Sequence, residues 1–314
     1  MSISKLVCLF LLQLDILSIP PIYYPFIHKY KTIIKEKNMK RIVTIQDISC
    51  VGKCSITVAL PIISAMGTET AILPTAVLST HTMFTGFTVK DLQDQIEPIS
   101  AHWKSQKINF DLIYTGYLAN KEQIELVKQF FKEFGSGDVL KFVDPAMADN
   151  GALYWGFDEE FAKTMASLCG EADIIVPNHT EACFMTDTPY RTDYDIEYIH
   201  ATLKKLAALG TKKYVVITGV SEDVSQAGFT GLDVETGEFF TYGHDRIDKL
   251  YHGTGDIFAS VTVGALERDY NIYDALKLAA DFTKDCVAET LENDPEKTYG
   301  VDFEAVLPRL INKL

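Results

Sequence analysis

Short apolar runs separated by helical stretches recur from residue 40 to about residue 220, and this alternation restricts the fold more than any other feature. Arg41 to Ile45, Thr70 to Pro74, Phe110 to Tyr117, Val139 to Val143, Ala172 to Val176 and Tyr214 to Gly219 each read as a buried strand. Helical patterns lie between them: one ending near Met66, Val89 to Lys104 with Pro98 as a kink, Asp158 to Leu168, and Tyr194 to Leu209. Asn120 is placed to cap a further helix whose Ile124, Val127, Phe130 and Phe131 share one face. Such alternation implies an α/β fold in three layers, with a central, mostly parallel sheet, helices on both faces and right-handed crossovers. Gly228 to Tyr242 reads as a hairpin about Glu235-Thr236-Gly237, and Asp274 to Leu291 and Phe303 to Leu314 as closing helices. No repeat or linker divides residues 39–314, which are expected to form one domain.

Polar clusters follow these strands, at the edge where open α/β sheets bind ligands. Gln46-Asp47-Ile48-Ser49-Cys50-Val51-Gly52-Lys53-Cys54-Ser55 follows the first. It is not a phosphate-binding Walker loop, because Asp47 stands where that motif needs glycine and Cys54 where it needs Ser or Thr. Leu78 to Met83 follows the second, and Asp144-Pro145 with Asp149 the fourth. Alone, those two acids read as turn residues. Pro177-Asn178-His179-Thr180-Glu181 follows the fifth, where Asn178 and Glu181 have the spacing of a capping box. His252-Gly253-Thr254-Gly255-Asp256 then opens a run of small and apolar residues. Glycines there let the backbone approach a ligand, and the free N–H groups of a helix start attract phosphate. Asp256 is positioned either as a cap or as a base for a hydroxyl proton.

Composition narrows the partners. With 29 basic and 43 acidic residues the net charge is −14, which argues against nucleic acid or an anionic membrane. Six cysteines, at 8, 50, 54, 169, 183 and 286, form no C-x-x-C pair, as expected of reduced thiols in a cytoplasmic protein. Leu6 to Ile19 is apolar but is too short to span a bilayer and is interrupted by Gln13 and Asp15. It also lacks a small-residue cleavage site. Residues 1–38 are therefore expected to lie upstream of a working chain that starts at Met39, with a weak membrane anchor as the second reading.

Taken together, Gly253-Thr254-Gly255-Asp256 resembles the signature of the ribokinase-like superfamily of small-molecule kinases. Ile45-Gln46-Asp47, Ser79-Thr80-His81-Thr82, Thr115-Gly116-Tyr117, Asp144-Pro145 and Pro177 to Glu181 resemble the pyridoxal kinases, in order and at similar separations. The resemblance spans residues 40 to about 310. It implies ATP-dependent phosphorylation of the hydroxymethyl group of a vitamin B6 vitamer, by a homodimer. Asp256 would be the general base, and Gly253, Thr254 and Gly255 would surround the transferring phosphoryl. Asp144 and Glu181, with Asn178 near them, would hold Mg2+ and face ATP, with K+ a candidate second cation. Asp149, Val176 and Thr218 would lie along the nucleotide. Asp47, Thr82 and Tyr117 would meet the pyridine ring.

Three positions depart from the family pattern: Asp47 where serine is common, Thr80 where asparagine is, and Val176 where many members have threonine. An aspartate at 47 suits a charged bond to the pyridine nitrogen, the phenol or an amine, and so bears on the choice of vitamer. The alternatives are a hydroxymethylpyrimidine kinase and a non-catalytic vitamin-binding module. The single glycine between residues 46 and 52 counts against the first, and a base beside an anion-binding turn against the second. The hairpin near 228–242 and the loop near 144–157 are candidate lids.

Overall fold

The computed structural model describes residues 39–314 apart from 224, 250, 297 and 298. The expectation for residues 1–38 lies outside the described residues. Lys40–Leu314 form one compact unit. Its first half runs β1 (Arg41–Ser49), α1 (Ile56–Ala65), β2 (Glu69–Leu78), β3 (Val89–Asp91), α2 (Gln93–Ser105), β4 (Leu112–Thr115), α3 (Lys121–Phe134) and β5 (Leu140–Val143). There follow the two-residue strands β6 (Ala148–Asp149) and β7 (Ala152–Leu153), then α4 (Glu159–Cys169), β8 (Ile174–Ile175), α5 (His179–Thr186), α6 (Ile196–Ala207) and β9 (Tyr214–Thr218). The chain closes with β10 (Gln226–Asp233), β11 (Phe239–Asp245), α7 (Thr254–Leu266), α8 (Ile272–Asn293) and α9 (Phe303–Lys313).

The main sheet has nine strands in the order β11-β10-β9-β8-β5-β4-β1-β2-β3. The pairs from β2 through β9 are parallel, and β3, β10 and β11 join antiparallel at the two edges. Side chains alternate across each strand, and two buried clusters result. Val43 and Ile45 of β1 pack with Ile96 of α2, Phe130 of α3, Phe161 of α4, Ala182 of α5 and Ile199 of α6. Ile42, from the same strand, faces Ile62 of α1, Ile257 of α7, Ala279 of α8 and Val306 of α9. This is the three-layer α/β/α arrangement expected from the alternation of strands and helices.

Local differences from the sequence reading have physical causes. The stretch from Val89 is not wholly helical: Val89–Asp91 pairs with β2 before the helix begins at Gln93. β1 continues to Ser49 because β2 offers it a partner that far. The ladder slips between Gln46, which pairs with Pro74, and Ile48, which pairs with Val77, so Asp47 stands at a bulge. Bulges re-aim side chains at the ends of sheets. The hairpin runs three residues past Tyr242, because β11 keeps its pairing with β10 as far as Asp245.

Candidate active site

Parallel β1, β4, β5, β8 and β9 deliver Asp47, Tyr117, Asp144, Asn178 and Thr218 to the same edge of the sheet. The chain enters α7 there through Gly253, whose φ is 80°. A β-carbon at this residue would lie 2.1 Å from the Lys53 carbonyl oxygen, so only glycine allows the β1–α1 loop to sit against the turn. Asp256 occupies the first turn of α7, beside the unpaired N–H groups of the helix start. Loss of water pushes its carboxyl up to about 7 and the charge of Asp47 adds to the rise, while a backbone hydrogen bond from Ser55 opposes it. A carboxylate in that range accepts a proton at neutral pH more readily than an ordinary one.

Asp47 is buried and accepts hydrogen bonds from Ser49 Oγ at 2.8 Å and Ser55 Oγ at 2.6 Å. Burial raises its proton affinity and the two hydroxyls pull the other way. Tyr117 is pushed up to about 12 by burial and then by the charge of Asp47, and its ring lies 5.7 Å from that of Phe157. Thr82 is exposed; the residue of its run that acts electrostatically on Asp47 is His81. His81 is buried, meets the Tyr299 carbonyl through Nε2 at 2.8 Å, and stacks on His252 at 5.1 Å.

Asp144 lies buried just past the end of β5, and a β-carbon at Gly255 would be 3.8 Å from its Oδ2. Burial pushes Asp144 well above the carboxylate range, and the charges of Glu181 and Asp256 push it further. Glu181 accepts from Met147 N at 3.0 Å and Asn178 N at 2.8 Å, yet burial still carries it up to about 8. Asn178 completes the capping box: its Oδ1 accepts from Glu181 N at 2.9 Å and its Nδ2 donates to the Ala148 carbonyl at 2.8 Å. Asn178 thus acts on the backbone that shapes the acid pair. Asp149 is exposed on the β6–β7 turn, where its charge reaches Glu181 and His252. Val176 is buried, Thr218 meets the Pro177 carbonyl, and Thr254 Oγ1 donates to the Tyr251 carbonyl at 3.2 Å.

Among the described residues, no three His, Cys, Asp or Glu side chains form a group able to hold a metal alone. Asp144 and Glu181 are two buried acids, and the charge of Glu181 adds to the rise at Asp144. That pair fits a divalent cation whose other ligands come from phosphate oxygens.

Several neighbours of these residues escaped the sequence reading. Ser49, Ser55 and Cys54 all lie in the loop already singled out, and the Cys54 thiol is pushed up by burial and then by Asp256 and Asp47. The phenol of Tyr114 is fully buried on the α7 face and feels Asp256 and Asp144, although its apolar strand gives no sign of a polar task. Tyr154 feels Glu181, Asp149, Asp144 and Asp256 in turn.

The phosphomethylpyrimidine kinase family model matches residues 56–300. A Bacteroides thetaiotaomicron protein assigned as a phosphomethylpyrimidine kinase, in a crystal form with pyridoxal, is 36% identical. Its structure superimposes with a TM-score of 0.82 over 87% of this chain and 96% of that one. Pyridoxal kinase from Lactobacillus plantarum is 32% identical, with a TM-score of 0.80 over 88% of this chain and 98% of that one. The hydroxymethylpyrimidine/phosphomethylpyrimidine kinase of Bacillus subtilis is 28% identical over 72% of this chain and 79% of its own length.

Proposed function

The chain belongs to the phosphomethylpyrimidine kinase family, a family of phosphotransferases, and on that premise we propose that it phosphorylates the hydroxymethyl group of a B6 vitamer with ATP. The observation that carries this reading is the meeting of Asp256, Asp47 and Asp144 around the start of α7, where each acid shifts or is shifted by another. Asp256 takes the hydroxyl proton as the oxygen attacks the terminal phosphorus. The N–H groups of the Gly253–Asp256 turn face the transferring phosphoryl and stabilise its charge. Asp144 and Glu181 would hold Mg2+, which offsets phosphate charge when bound. Asp149, Thr218 and Val176 border the nucleotide. Asp47, steadied by Ser49 and Ser55, pairs with a cationic ring nitrogen or amine, and Tyr117 packs beside the ring. The homodimer, the K+ site and a cytoplasmic location belong to the same proposal; no helix among the described residues is long and apolar enough to cross a membrane.

The second reading is phosphorylation of hydroxymethylpyrimidine, which the family model and the Bacillus subtilis relative favour. The pyridoxal in the crystals of the Bacteroides relative and the likeness to the Lactobacillus enzyme support the first. A coupled assay of ATP consumption with pyridoxal, pyridoxine, pyridoxamine and hydroxymethylpyrimidine separates them. The proposal expects kcat/KM for one vitamer to exceed that for hydroxymethylpyrimidine at least tenfold. The reverse order establishes the second reading, and vitamer binding without ATP turnover establishes a binding module.

A further inference from the structure

At the opposite edge of the sheet, a cavity of about 330 Å³ opens between the end of α3, the start of β5 and the turns after α4 and α6. Lys132, Lys141 and Lys212 line it together with Ser136 and Glu171. Its volume is within the range of small-ligand sites, roughly 300 to 1,000 Å³. In a chain of net charge −14, a recess lined by three lysines and Glu171, with Asp173 behind Lys141, is a local reversal of sign. Lys141 is buried, with Nζ 3.4 Å from the Gly135 carbonyl and 3.7 Å from Asp173. The Asp173 carboxylate also accepts the Lys141 backbone N–H at 2.9 Å, so its charge is shared. Burial lowers the proton affinity of Lys141, and Lys212 lowers it further despite Asp173. Among the described residues, neither Lys132 nor Lys212 takes part in an ion pair.

We infer that this cavity is a second, non-catalytic binding site for a small phosphate-bearing anion, inorganic phosphate or a phosphomonoester, held between Lys141, Lys212 and Lys132. A dianion there would draw the like-charged ammonium groups onto one ligand, with the Ser136 hydroxyl as a neutral donor. β5 joins the two edges, since Lys141 lies near its start and Asp144 immediately follows its end at Val143.

Calorimetric titration of the full chain with inorganic phosphate, at constant ionic strength set with chloride, tests the site. The wild type is expected to bind phosphate with a component that weakens at least tenfold in the Lys132→Ala/Lys212→Ala double variant. Wild type and double variant both keep the Gly253–Asp256 turn, so phosphate held there persists in each and cancels from the comparison. The double variant is expected to keep wild-type turnover in phosphate-free buffer, which also reports that it folds. Lys141→Arg, which preserves the charge, is expected to retain binding. Equal phosphate affinity in wild type and double variant overturns the site, as does full competition by chloride.

Discussion

Asp256 differs from the other acids of this protein in what surrounds it: it sits in the first turn of α7, feels the charge of Asp47 and acts in turn on Asp144. Its carboxyl stands at about 7 chiefly because burial disfavours the charge, which leaves a large fraction ready to accept a proton at neutral pH. Asp256→Asn keeps the size and the helix position but cannot accept the proton. Steady-state kinetics are expected to show kcat lower by roughly a hundredfold or more, with KM values for ATP and vitamer within about threefold of wild type, a tolerance set by the scatter of such effects. Wild-type turnover in this variant would remove the residue from its role. At this scale much was legible from the chain itself. The capping box of Asn178 and Glu181, and the Gly253 turn, are written in spacings of three residues, because a helix start is a local event. The partners of Asp47 were half legible: Ser49 and Ser55 are its near neighbours, whereas His81 reaches it only through the tertiary fold.

Two glycines two residues apart at the start of α7 answer to different constraints. Gly253 has a left-handed φ of 80° and no room for a methyl group beside the Lys53 carbonyl. Gly253→Ala is expected to cost about 1–3 kcal/mol from backbone strain, with the contact adding to it, and to depress turnover with stability in urea melts. Gly255 lies inside the helix, and a methyl there would meet Asp144 at ordinary contact distance. Gly255→Ala is therefore expected to melt within about 1 kcal/mol of wild type while losing roughly tenfold or more in kcat, as backbone approach to the phosphoryl is blocked. Equal stability losses in the two variants would contradict this division. Elements with strong periodicity, such as α3 behind its Asn120 cap, could be read directly. β3 could not: its three residues are all exposed, so they show no alternation, and only pairing with β2 makes them a strand.

Across the whole molecule, the sheet edge proposed to bind substrate and nucleotide also gathers acidic side chains. Asp256 and Glu181 are pushed up to about 7 and about 8, and Asp144 rises with them. From the ordinary carboxylate range near about 4 up to those values, the folded protein holds protons that the unfolded chain has released. The contribution of these three acids to stability then falls as pH rises through that window, and it outweighs the opposite slope of His179 and His252, whose proton affinity burial lowers. Thermal melts of the ligand-free protein are expected to show Tm decreasing from about pH 5 to about pH 8, with a shallower decrease in Asp256→Asn; a flat or rising profile in wild type would refute the sign. No local pattern announces this clustering, because positions 144, 181 and 256 meet only through the strand order of the sheet. The same is true of the β1–α1 loop. Gly52 fits under the His81 ring, Gly300 against Gly52, and Lys53 is clamped by Asp302 at 2.6 Å and Glu304 at 2.8 Å while its carbonyl abuts Gly253. Wedged from three directions, that loop has no slack for insertions. On the proposed function, a change of acceptor preference is expected to come from swapping side chains such as Asp47 and Ser49 at the end of β1, or Cys54 in the loop, along an unaltered path.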